Sequence, residues 1–350
     1  MNLNMSSIQI GLAIAGGLIL ALVVLHSAWT SHRRQPRQAE PEPVRLEPGV
    51  EPSPQSQSAD ASALDALPLP LPLADKTKPV LDPLIDVIAQ IDLDAPVSGE
   101  ALLTHLPPTR RLGSKPLNFE GLNEQTGQWE QPMAGQRYSS LQAGVQLANR
   151  AGALNEIEYS EFVVKTQALA DGLGGTPDFP EMLDEVARAR ELDQFAGAHD
   201  AQLSITLRAR NAAWSPGYVH QHASRLGFVA GVMPGRMVLP ASESGLPPVL
   251  ALTFDAQAAL AEDPAQSALF VVTLTLDVPQ VGRAEQPFAR MREAADRLAQ
   301  AMDGSITDDN GQPLGQEALD QIARELDKLY NTLESRDIAA GTQVARRLFS

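Results

Sequence analysis

Leu269–Val278 reads LFVVTLTLDV, and its alternation decides the fold class. Phe270, Val272, Leu274, Leu276 and Val278 fall on one side, and Leu269, Val271, Thr273, Thr275 and Asp277 on the other. A period of two over a β-branched run predicts a half-buried strand. The first set is expected to meet helices. The second, with Ser204 and Thr206 of a neighbouring strand, is expected to form an uncovered face, either solvated or open to a peptide. Downstream, Phe288-Ala289-Arg290-Met291 opens a helix through Ala294, Ala295, Leu298 and Met302. Ser305–Leu314 carries Asn310-Gly311, a hairpin turn signal. Leu319, Ile322, Leu326, Leu329 and Leu333 then form the stripe of a helix over 316–335. Upstream, Val249–Phe254 and Gln202–Arg208 read as strands, and Ser215-Pro216-Gly217 starts a helix through Val219, Ala223 and Leu226. Strands and helices in this arrangement predict an α+β fold, an antiparallel sheet with helices on one face.

The preceding stretch shows a similar order. Leu84–Ile91 reads as a strand, Gly99-Glu100-Ala101-Leu102-Leu103 as a helix start, and Gln142–Leu147 and Glu161–Ala168 as strands. Phe179-Pro180-Glu181-Met182 opens a helix through Val186, Ala189 and Leu192. Gly99 and Gly217 stand 118 apart, EFVV and LFVV 108, and FPEM and FARM 109. Such spacing predicts two tandem modules, 79–200 and 201–338, followed by a tail at 339–350.

The N-terminal region is different. Ile10–Leu25 is an unbroken run of apolar residues and glycine, extended by His26–Trp29. At about 1.5 Å per residue this spans the hydrocarbon core of a bilayer. A cleaved signal peptide would carry basic residues before the run. Here Arg33, Arg34 and Arg37 follow it, so residues 10–29 are expected to be a single-pass transmembrane helix with residues 1–9 outside and the rest cytoplasmic. Residues 30–78 begin basic and become rich in Pro, Gln and Ser, the composition of a disordered, partly polyproline II linker.

Much chemistry is excluded. The 350 residues contain no cysteine, so there is no disulfide, thiol nucleophile or Cys-ligated metal. Net charge is −16, which argues against nucleic acid. His220 and His222, two apart on a helix, cannot share a metal. The acidic run Asp303–Asp309 lacks the calcium-loop pattern, since position twelve from Asp303 is Leu314. No phosphate-binding glycine loop or catalytic set is present, so no cofactor and no small-molecule substrate are expected.

Several segments resemble the ZipA family of bacterial cell-division proteins. Ala294–Gly304 followed by Thr307-Asp308-Asp309 resembles its helix running into a hairpin. Leu274–Pro279 resembles its strand ending in Val-Pro. Arg225–Met233 resembles its Gly-Phe segment, and the anchor and linker match by architecture. The likeness spans about 202–335. It implies a non-enzymatic head that binds the C-terminal tail of FtsZ on its open sheet face, tethering filaments to the inner membrane at the division site. Carried onto this chain, the implied contacts are Thr206, Arg208, Val229, Met233, Phe254, Val271, Thr273 and Thr275. This face carries Thr where the family groove is richer in Met and Phe. The competing reading is a membrane-anchored scaffold for a different envelope or division partner.

Overall fold

The computed structural model describes residues 36–39 and 80–350. The expected span at 10–29, and residues 30–35 and 40–78 of the expected linker, lie outside them. Among the described residues, no helix is long and apolar enough to cross a membrane. The described chain divides into two compact units: residues 80–202, 277–286 and 321–350, and residues 36–39, 203–276 and 287–320. Both are α+β, and the strand pairs described in each are antiparallel.

The first unit opens with β1 (Asp86–Ser98) and α1 (Gly99–His105). Then come β2 (Arg111–Leu112), β3 (Lys115–Asn123), β4 (Trp129–Glu130), β5 (Arg137–Gln146), and the short pair β6 (Ala148–Asn149) and β7 (Gly152–Ala153). Helix α2 (Glu156–Leu173), β8 (Gly175–Asp178) and α3 (Met182–His199) follow. The sheet runs β2-β3-β5-β1-β8, with β4 on β3. Register places Val87, Val145 and Leu117 in one row and Ala89, Ala143 and Phe119 in the next. These side chains bury against Tyr159, Phe162 and Leu169 of α2. Ser98 caps α1 by accepting from the Ala101 amide at 3.2 Å, so the helix starts at Gly99 as expected.

Glu161–Ala168 is not the expected strand but the middle of α2. Asn155 and Glu158 form a reciprocal capping box, and Gly174 closes the helix at φ +68°. Buried Tyr159, Phe162, Thr166, Leu169 and Ala170 fall at helical spacing, which a short window mistakes for alternation.

The second unit contains β9 (Gln202–Ala209), α4 (Pro216–Ser224), β10 (Val229–Ala230), β11 (Arg236–Leu239), β12 (Leu250–Thr253), the single turn α5 (Ala256–Ala259), β13 (Val271–Asp277), α6 (Pro287–Met302) and β14 (Gly304–Thr307). The sheet runs β10-β11-β12-β13-β9-β14. Helix α7 (Gln316–Glu334) gives its first residues to this unit and the rest to the other. Val272, Leu274 and Leu276 are buried, as are Met237, Leu239, Leu250 and Leu252 in register with them, and Ile205 and Leu207. At the head of β13 the expected burial is reversed. Leu269 is buried and Phe270 exposed, the reverse of the sequence expectation. The cause is a bridge that locks Leu269 to Trp214 through two amide–carbonyl bonds of 2.8 Å, one step before the ladder proper.

Residues 339–350, set apart above as a tail, include α8 (Gln343–Leu348). Ala345, Leu348 and Phe349 bury with Ile85, Ala148, Ala196, Leu333 and Ile338 of the first unit. Arg347 pairs with the buried carboxylate of Asp86, Nη1 to Oδ2 at 2.8 Å.

Candidate partner-binding face

The second sheet turns one face inward, and its other face can be read from register alone. Val229, Val238, Ala251 and Thr275 stand in one row across β10, β11, β12 and β13. Arg236, Thr253 and Thr273 form the next row. Val271 continues the same side of β13 and is 37% exposed. The Thr253 hydroxyl donates to the Thr273 carbonyl and the Thr275 hydroxyl to the Ala251 carbonyl, each at 3.4 Å. With these two hydroxyls tied to the sheet, Thr253 and Thr275 present mainly their methyl groups. At those two positions the face is more apolar than its composition suggests.

One end of this face deepens into an open hollow of about 470 Å³ lined by Thr253, Phe254, Asp255, Ala268, Leu269, Phe270, Val271 and Thr273. Phe270 is 47% exposed there. The loop from β10 to β11 adds Val232 and Met233, 97% and 57% exposed. Val232, Met233 and Phe270 are thus large apolar side chains left exposed on this unit.

The eight residues carried over from the resemblance divide into groups. Val229, Thr273 and Thr275 lie on the open face by register, and Val271 extends it. Phe254 lines the hollow, and Met233 sits in the adjoining loop. Thr206 and Arg208 are on the same side of β9 but are covered. The turn after β14 folds over them: Asp309 accepts from the Ser204 hydroxyl at 2.7 Å and from Thr206 at 3.5 Å, leaving Thr206 only 4% exposed. The Arg208 guanidinium lies beside Gly311, whose φ of +81° the turn requires. Sequence reasoning missed Arg236, Val238, Ala251, Thr253 and Phe270. The alternating RMVL of β11 was the available signal for the first two.

The corresponding face of the first sheet is polar and partly filled. Gln90, Gln142 and Glu120 share one row across it. The fully buried Glu120 carboxylate accepts from the amides of Val80 and Leu81 and from Gln142 Nε2, the last at 2.6 Å. Leu81 packs onto Gly144, where a Cβ would collide with it. The chain's own segment occupies that surface. Among the described residues, no cluster of His, Asp and Glu could hold a metal ion.

Residues 260–325 match the family model described as ZipA, C-terminal FtsZ-binding domain. The match supports the ZipA resemblance read from the sequence, over a shorter stretch than the 202–335 of that reading. It takes in β13, α6, β14 and the start of α7, and with them Val271, Thr273 and Thr275. The family described is a protein-binding one, not an enzyme family. No curated protein matches the chain.

Proposed function

We propose that this chain is a non-enzymatic cell-division protein whose β10–β13 face receives the C-terminal tail of FtsZ. Residues 10–29 would anchor it in the bacterial inner membrane at the division site, with the head in the cytoplasm. The observation that carries the reading is the open face with Phe270 and Val271 exposed beside it, on a strand within the matched segment. An extended apolar peptide can lie across such a face without any catalytic group. The same reading takes the two units as copies of one module. In each, the first strand lies between a later strand and the last strand. Each last strand follows a helix closed by a left-handed residue, Gly174 or Asp303. The counterpart of α6 is then α2, so the FPEM–FARM and EFVV–LFVV offsets do not pair equivalent elements, whereas Gly99 and Gly217 do. Among the described residues, Val80–Leu81 covers part of the first copy's face, and the face of the second carries no such segment over β10–β13.

The test is a fluorescence-anisotropy titration of residues 30–350 with a labelled FtsZ tail peptide. Saturable binding near micromolar, about −8 kcal/mol, is expected. Thr273→Glu or Val271→Glu places a charge on this face and should abolish binding with the circular dichroism spectrum unchanged. An unchanged affinity in both variants would remove the peptide from this face. Absence of binding by the parent chain would favour a scaffold for another division or envelope partner.

A further inference from the structure

The opposite side of the same unit carries a second surface. Between α4 and α6 lies a hollow of about 190 Å³. Its rim is Arg225, Arg290, Arg297 and Glu293, and its floor is Leu226, Leu239 and Ala294. Helix α4 contains no acidic residue. Three guanidinium groups and one carboxylate line it, on a chain of net charge −16. Glu293 holds Arg297 at 3.2 Å with both side chains about 60% exposed, a contact that an incoming anion displaces at little cost. Arg290 reaches the Pro240 carbonyl at 3.5 Å.

We infer that this hollow seats the phosphate of an anionic lipid headgroup, so that the helix layer rests on the bilayer while the peptide face points away from it. The inference rests on the anchor part of the proposed function. Guanidinium forks match phosphate oxygens, and an apolar floor under a cationic rim matches a headgroup with its glycerol region beneath. A docked segment argues for lipid as the occupant. Arg37 forms a parallel bridge with Trp214: its amide donates to Ala213 O at 2.7 Å, and the Ser215 amide donates to Arg37 O at 2.9 Å. Its guanidinium reaches Met302 O at 3.3 Å and Asp303 at 3.0 Å. Ser215 caps α4 and Met302 ends α6, so the chain leaving the expected span attaches to the layer that holds the hollow. From Trp29 to Arg37 an extended chain covers less than about 30 Å. Residues 36–39 thus keep the head beside the bilayer, where the expectation for 30–78 was a free linker. At that distance weak contacts are enough, because the anchor supplies the effective concentration. Each arginine near an anionic surface contributes about fivefold.

The full chain has no cysteine, so single labels are clean. A solvatochromic dye at Ser224→Cys, beside Arg225, is read in phosphatidylcholine vesicles and in vesicles that also contain phosphatidylglycerol. A dye at Ser31→Cys reports on the anchor. The expected result is protection of the Ser224 label from aqueous iodide only with phosphatidylglycerol. High salt and the combined Arg225→Gln, Arg290→Gln and Arg297→Gln variant should remove the protection, and Glu293→Gln should strengthen it. Equal iodide quenching in the two vesicles, with the Ser31 label membrane-shielded, overturns the lipid site alone. Protection in phosphatidylcholine on adding inorganic phosphate also overturns it, in favour of a free-anion site. An exposed Ser31 label overturns the anchor and the inference with it.

Discussion

Tyr330 shows how one buried polar atom sets a pH limit. Its ring is buried, its hydroxyl finds no partner among the described residues, and burial first of all pushes its pKa up to about 12. Asp327 adds to the shift, and Arg283, 5.8 Å from the ring centroid, opposes it. The unfolded phenol ionises near 10, so the folded state holds its proton longer. The stability this represents is complete below about pH 10 and is lost as pH rises toward 12. Tyr330→Phe removes the orphan hydroxyl. It should leave stability at neutral pH unchanged or raise it by about 1 kcal/mol, and it should flatten the alkaline decline. Denaturant midpoints measured across that range check both. At the same scale, Thr206 and Thr273 look interchangeable in sequence, yet one is roofed by Asp309 and the other faces outward.

The element that makes this difference is the turn after β14. It is a hydrogen-bonded unit, with the Gly311 amide on Asp308 O at 3.1 Å and the Asp308 amide on Gln312 O at 2.9 Å. Asp309 fastens it to β9 and so sets the border of the open face. Asp309→Ala should cost about 1 kcal/mol by loss of the charge-assisted bonds to Ser204. Thr206→Ala should change affinity for the tail peptide by less than about twofold, because the proposed site lies over β10–β13 and Thr206 is covered by the turn. A large loss of affinity in Thr206→Ala, measured in the titration above, would extend the contact beneath the turn. The β10–β13 face holds one charge by register, Arg236, so peptide binding at the proposed site should respond little to salt, unlike the arginine hollow.

For the whole molecule, the C-terminal residues are a structural closure. Leu348 and Phe349 are at most 1% exposed, and burial of such side chains contributes about 1.5–3 kcal/mol each. Arg347 neutralises Asp86, whose loss of a partner would leave a buried carboxylate uncompensated. A chain ending at residue 342 should therefore lose more than about 5 kcal/mol in the unit that contains β1. The second unit's sheet does not draw on those residues. Urea unfolding followed by hydrogen exchange should show early opening confined to 80–202, 277–286 and 321–342, the rest of that unit. A single unchanged transition would mean that α8 contributes nothing to that core.

Local periodicity was enough for much of this protein. The inward set Val272, Leu274 and Leu276, the outward set Thr273 and Thr275, the helix starts at Gly99 and Pro216, and the turn at Asn310-Gly311 were all legible, because each depends on neighbours within a few residues. The same locality caused the errors. EFVV alternates over four residues but belongs to a helix set by a cap six residues upstream, at Asn155. Leu269 is covered and Phe270 exposed, against their expected burial, because Trp214, far back in the chain, pairs with Leu269. Whether a strand residue is open or covered was beyond any window. Asp309 reaches Ser204 across 105 residues, Glu120 takes the amide of Leu81 from across 39, and Arg37 reaches Asp303 across 266. Sequence determined which side of each of those strands could face out. Only the tertiary structure decided which of those sides stayed free, because covering a face takes contacts whose distance along the chain no periodicity records.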